Sequence, residues 1–162
     1  MGDPGVGKTA LLVRYVDDRF ITDYRATLGF DISMKKLFHS GTEFSIAIWD
    51  IAGQEKLEKL LGSYLEGSQG AILIYDVTNS ESFKNINIWL NNLRKFGGEV
   101  PFILVGNKID LIDEIQIRGE EGGELMKKIK ASTFYETSAK TGEKVNKIFQ
   151  DIAIKIYEQS HI

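Results

Sequence analysis

Gly2-Asp3-Pro4-Gly5-Val6-Gly7-Lys8-Thr9 satisfies the pattern G-x-x-x-x-G-K-[ST] at every fixed position. Each residue type has a physical reason. Glycines let the backbone curl until successive N–H groups point at phosphate oxygens, and the helix that follows presents its positive end to them. Lys8 supplies a compact positive charge for β- and γ-phosphates, and the Thr9 hydroxyl is a ligand for Mg²⁺. Pro4 has no N–H, so the donors must come from Gly5 onwards. The bland alternative is a glycine-rich turn that only caps a helix over Ala10–Tyr15. The rest of the chain decides between the two.

Outward from this loop, short apolar runs alternate with helical patterns. Phe44-Ser45-Ile46-Ala47-Ile48-Trp49 alternates as a half-buried strand does, while Ala71–Tyr75 and Phe102–Val105 are continuous, as in strands covered on both faces. Leu57-Leu60-Leu61-Tyr64, Phe83-Ile86-Trp89-Leu90-Leu93 and Val145-Ile148-Phe149-Ile152-Ile156 recur every three to four residues and read as helices. Such alternation predicts an α/β fold with a mostly parallel central sheet and helices on both faces. Ligands in these folds bind at the carboxyl ends of the strands.

Three further groups stand where that rule requires. Asp50-Ile51-Ala52-Gly53-Gln54 follows one strand, Asn107-Lys108-Ile109-Asp110 follows Phe102–Val105, and Ser138-Ala139-Lys140 follows a strand over Thr133–Thr137. Singly, these read as a turn residue, a turn former and a helix cap. In this order, each at a strand's end and all behind a phosphate loop, they exclude the bland alternative.

Taken together, the motifs resemble the Ras superfamily of small GTPases, most closely its Rab branch, from Gly2 to about Glu158. The resemblance implies the P-loop NTPase fold, one G domain over residues 1–162, and a GTP-binding switch with slow GTP hydrolysis. It implies that Gly5 to Ala10 cradle the phosphates and that Thr9, Thr27 and Asp50 serve Mg²⁺. Thr27 stands eighteen residues after Thr9, where the first switch supplies its threonine, and Phe20 eleven after it, where an aromatic packs on the guanine. Gly53 matches the γ-phosphate sensor and Gln54 the residue that orients the attacking water. With Lys8 and Thr27, Gln54 makes up the expected catalytic set. Asn107, Lys108 and Asp110 match the guanine-specificity motif, completed by Ser138, Ala139 and Lys140. The base preference has its own logic: guanine offers two adjacent donors that one Asp110 carboxylate accepts, and adenine does not. The alternative in another class is a non-catalytic, nucleotide-gated binding module or an inactive, truncated relative.

The Rab likeness rests on Thr27-Leu28-Gly29-Phe30-Asp31-Ile32, Ile48-Trp49-Asp50, Tyr75-Asp76-Val77-Thr78 and Ile88-Trp89-Leu90. It implies switch segments near 20–32 and 50–65 that meet effectors, exchange factors and activators, with Ile32, Trp49 and Tyr64 as anchors. Ile32 departs from the phenylalanine usual at its position. Pro4 occupies a place that is usually small, near the approach of an activator's arginine.

Composition removes other classes. The 162 residues hold 43% hydrophobic and 27% charged residues with a net charge of −3, so nothing pushes the chain toward nucleic acid or anionic lipid. Lys127-Lys128-Ile129-Lys130 reads as a solvated helix face. There is no cysteine, hence no disulfide, thiolate metal site or thioether lipid anchor within these residues. His39, beside a Ser40-Gly41 turn, and His161 read as surface. The expectation is a soluble, cytoplasmic chain. In the family an apolar strand runs directly into Gly2, and here only Met1 precedes it. The expectation is therefore a chain truncated before its central strand or, alternatively, one in which Phe44–Trp49 and Gly70–Tyr75 close up and pair.

Overall fold

The computed structural model describes residues 1–20, 22, 27, 29–52 and 58–161, with only the backbone of residues 58–60. In chain order the elements are α1 (Lys8–Asp17), β1 (Phe30–His39), β2 (Thr42–Ile51), α2 (Glu58–Leu65), β3 (Ala71–Asp76), α3 (Ser80–Lys84), α4 (Ile86–Gly97), β4 (Phe102–Asn107), α5 (Gly119–Ile129), β5 (Thr133–Glu136) and α6 (Val145–Ser160). Strands β3, β4 and β5 form a parallel sheet in that order, and β1 pairs antiparallel with β2 in a separate ribbon.

Strand alternation sorts the core into two layers. Leu73, Tyr75, Phe102 and Leu104 point to one face and pack with Leu61 and Leu65 of α2, Trp89, Leu90 and Leu93 of α4, and Leu125 and Ile129 of α5. Ile74, Ile103 and Val105 point to the other, against Leu11, Leu12 and Tyr15 of α1 and Ile148, Phe149 and Ile152 of α6. Full burial of each large apolar side chain contributes about 1.5–3 kcal/mol, so both faces of the parallel sheet must be covered for it to be stable. The fold is the α/β arrangement expected, a parallel sheet with helices on both faces. It gathers the ends of β2, β3, β4 and β5 beside the loop that opens α1.

Several expectations need correction. Among the described residues β2 and β3 do not pair, so the closed-up alternative is not what forms. Instead the Met1 carbonyl accepts the Ile74 N–H at 2.8 Å and the Met1 ammonium donates to the Ile72 carbonyl at 2.7 Å. Gly2 then lies so close to β3 that a Cβ there would stand 2.1 Å from the Ile74 oxygen. The single helix expected across Phe83–Leu93 is two. Asn79 caps α3 by accepting the N–H groups of Glu81 and Ser82, and the chain turns into α4 at Asn85. Ser40 and Gly41 both have positive φ, as a tight two-residue hairpin turn demands. His39 is more than a surface residue: it meets Tyr157 of α6 edge-on at 5.9 Å, beside Phe44 stacked on the same ring at 4.9 Å. Lys127, Lys128 and Lys130 are exposed at the end of α5, as expected.

Candidate functional site

The phosphate loop is held from behind. Gly7 precedes α1 with φ 97°, and a Cβ there would stand 2.3 Å from Asn107 Nδ2. The buried Asn107 side chain donates to the Val6 carbonyl at 2.9 Å and accepts the Ala139 N–H at 3.2 Å. One amide thus ties the phosphate loop, the end of β4 and the loop after β5. Lys8 Nζ donates to the carbonyls of Gly2 and Asp3 at 2.8 and 2.9 Å. Burial lowers its pKa to about 8, with Asp50 and Asp3 pulling the other way. An ammonium in such a place gains an anionic partner readily.

Beside it three oxygens converge. Thr9 Oγ1 lies 2.8 Å from Thr27 Oγ1 and donates to Asp50 Oδ2, so α1, the segment before β1, and the end of β2 meet at one point. Hard oxygen donors with a single carboxylate suit Mg²⁺, which keeps waters and takes phosphate oxygens rather than an all-protein cage. Among the described residues no cluster of three or more His, Cys, Asp or Glu stands ready for a metal. Gly53 and Gln54 lie outside the described residues.

Where the base is expected, Ser138, fully buried, donates to Asp110 Oδ1 at 2.6 Å, and its own oxygen accepts the Thr141 N–H at 3.1 Å. Lys108 takes a positive φ and pairs with Asp76 Oδ2 at 2.6 Å, while Thr78 donates to the other Asp76 oxygen. Ala139 is buried and Lys140 exposed. Phe20 is also exposed, at 39%, and its place on the base rests on the resemblance alone.

Two further residues, not among those expected from the sequence, join this arrangement. Arg14 of α1 donates to the carbonyls of Ala139 at 2.9 Å and Lys140 at 2.6 Å, clamping the Ser138–Lys140 loop to the helix behind the phosphate loop. No local signal marks a partner 125 residues away. Arg14→Ala is expected to speed GDP release about tenfold, since hydrogen bonds from a charged donor are worth about 1.5–3 kcal/mol. Stopped-flow displacement of a fluorescent GDP checks it, and an unchanged rate would remove Arg14 from the site. The second is Phe30. It stacks on Trp49 at 5.1 Å and meets Tyr64 at 4.6 Å, so the third ring beside Trp49 and Tyr64 comes from Phe30 rather than from position 32. Residues two apart on a strand share a face, so this replacement was open to a reading by parity. Ile32 stays on that face opposite Trp49, and Phe30, Ile32 and Trp49 are all exposed.

Residues 1–158 match the family model described as Ras family. Ras-related protein RIC1 of Oryza sativa subsp. japonica is 40% identical over 157 residues, covering 96% of this chain and 77% of that protein. Ras-related protein Rab-10 of Diplobatis ommata is 37% identical over 163 residues, with 100% and 81% covered. Ras-related protein SEC4 of Candida albicans is 38% identical over 165 residues, with 100% and 77% covered. The chain belongs to the Ras family. It is a Rab-like small GTPase, a switch that binds GTP and hydrolyses it to GDP. No helix of the described residues is long and apolar enough to cross a membrane.

Proposed function

We propose that this GTPase is one G domain whose switch is set by the oxygen cluster and the loop around Lys8. The observation that carries the reading is the meeting of Thr9, Thr27 and Asp50, from three separate segments, beside the phosphate loop. Gly5 to Ala10 direct N–H groups at the phosphates, Lys8 neutralises charge that develops on the β- and γ-oxygens, and Asp110 with Ser138 selects guanine. Asn107, Lys108, Ala139 and Lys140 complete the base pocket, and Phe20 covers it. Thr9, Thr27 and Asp50 would hold Mg²⁺, which when bound polarises phosphoryl oxygens as a Lewis acid. Gly53 senses the γ-phosphate and Gln54 orients the attacking water, the roles that the family likeness gives them.

Loss of the γ-phosphate frees Thr27 and Gly53, and the segments that carry them change the surface around Phe30, Ile32, Trp49 and Tyr64. That surface serves effectors, exchange factors and activators, with exposed aromatics as anchors. The site of action in this reading is the cytoplasm.

Nucleotide extraction with chromatographic identification, followed by single-turnover hydrolysis of GTP with Mg²⁺, tests the reading. Bound guanine nucleotide and measurable turnover are expected. Guanine nucleotide bound without turnover would favour the nucleotide-gated binding module instead.

A further inference from the structure

Asp3 brings a negative charge into a loop built for phosphates, and the structure turns that charge away. Its Oδ1 accepts the Trp89 indole N–H at 2.7 Å and its Oδ2 accepts the Asn85 amide at 2.8 Å. Both donors sit where α3 gives way to α4. Trp89 is buried in the core layer that α4 shares with α2, and Asn85 makes no side-chain cap for α4. The other end of the same residue faces Lys8, whose ammonium rests on the carbonyls of Asp3 and Gly2. The perch of Lys8 therefore hangs on side chains 82 and 86 residues away in sequence.

A carboxylate that loses its donors in a partly enclosed place turns toward others or toward water. Its swing would set like charge against phosphate and shift the carbonyls that hold Lys8. We infer that Trp89 and Asn85 are positioning residues of the nucleotide site: through Asp3 they fix the path of the phosphate loop and the place of Lys8, and so the rate at which nucleotide leaves. Neither touches nucleotide in this account. The inference rests on the reading that Lys8 and Gly5–Ala10 hold the phosphates.

Trp89→Phe keeps an aromatic ring in the core and deletes the N–H, and Asn85→Ala deletes only the second donor. Each is expected to speed release of fluorescent GDP about tenfold or more, the range for a hydrogen bond to a charged group. A loosened core would speed release whatever stands at position 3, so the deciding comparison is a double-mutant cycle. In an Asp3→Ala background, Trp89→Phe and Asn85→Ala are expected to change release by less than about twofold. Undiminished effects of both in that background would overturn the inference, as would unchanged release in the single variants. Should Trp89→Phe not fold, the Asn85→Ala pair carries the same cycle. If the unmodified protein holds no GDP, the nucleotide reading itself is overturned and this inference with it. Normal GDP binding with a failed cycle removes the inference alone.

Discussion

Asp110→Asn is expected to weaken GDP binding by about 10²- to 10⁴-fold and to raise binding of xanthosine diphosphate. Two hydrogen bonds from the guanine edge to one carboxylate, each worth about 1.5–3 kcal/mol, set the size of the loss. Ser138 sets its direction. Its hydroxyl donates to Asp110 Oδ1 at 2.6 Å, so an asparagine in this place keeps its oxygen toward Ser138 and turns its amide toward the base. That amide meets the exocyclic amino group of guanine donor to donor. Xanthine carries a carbonyl at the same position and accepts. Competition of GDP and xanthosine diphosphate for the variant measures the change. A variant that loses both nucleotides equally would mean Asp110 holds the fold rather than the base. One that keeps its preference for GDP would mean Asp110 does not face the base.

The loops expected to hold phosphate and base stand out in the sequence because the chemistry they would supply is written in residue type. Only glycine suits Gly7, where φ is positive and a side chain would strike Asn107. The two core layers were legible because β3 and β4 are apolar up to their polar last residues, Asp76 and Asn107, and α4 and α6 are striped. Strand β1 was not read, and the reason is physical. Four of its outward positions, Phe30, Ile32, Met34 and Phe38, are apolar beside a single charged Lys36, while Ser33, Lys35 and His39 point inward with Leu37. Lys35 uses that direction to approach the last carbonyls of α1, those of Tyr15 and Val16 at 3.4 and 3.5 Å. Burial and hydrophobicity therefore part company in β1, as they do where a surface awaits a partner.

The break at Asn85 escaped for a different reason. The apolar repeat Phe83-Ile86-Trp89 runs across it without a change of phase, the capping Asn79 marks only the start of α3, and Asn85 makes no side-chain cap to mark the start of α4. Arg14 and Asp3 belong to a third class. Their partners lie 125 residues away for Arg14 and 82 and 86 for Asp3, and no local pattern encodes such pairs. These contacts tie loops to distant elements: Arg14 holds the Ser138–Lys140 loop to α1, and Asp3 holds the loop before α1 to the junction of α3 and α4.

The remaining large effect is expected at Thr9. In the wild-type chain Mg²⁺ is expected to slow GDP release by about 10²-fold or more against release in EDTA, since a Lewis-acid contact on phosphoryl oxygen is worth several kcal/mol. Thr9→Ala removes the hydroxyl that joins Thr27 and Asp50 and leaves the backbone N–H groups of the loop untouched. Release in EDTA is then nearly unchanged and serves as the control for folding, while the slowing by Mg²⁺ is largely lost. Asp50→Asn tests the same cluster from β2 and is expected to lose the metal effect too, because the amide brings no negative charge. If Mg²⁺ slows release equally in the wild type and both variants, the metal sits elsewhere and the convergence of Thr9, Thr27 and Asp50 only braces the first switch. If either variant releases GDP much faster in EDTA as well, the cluster orders the loop before any metal arrives. The ratio of the two rates, with and without Mg²⁺, separates these cases where a single rate does not.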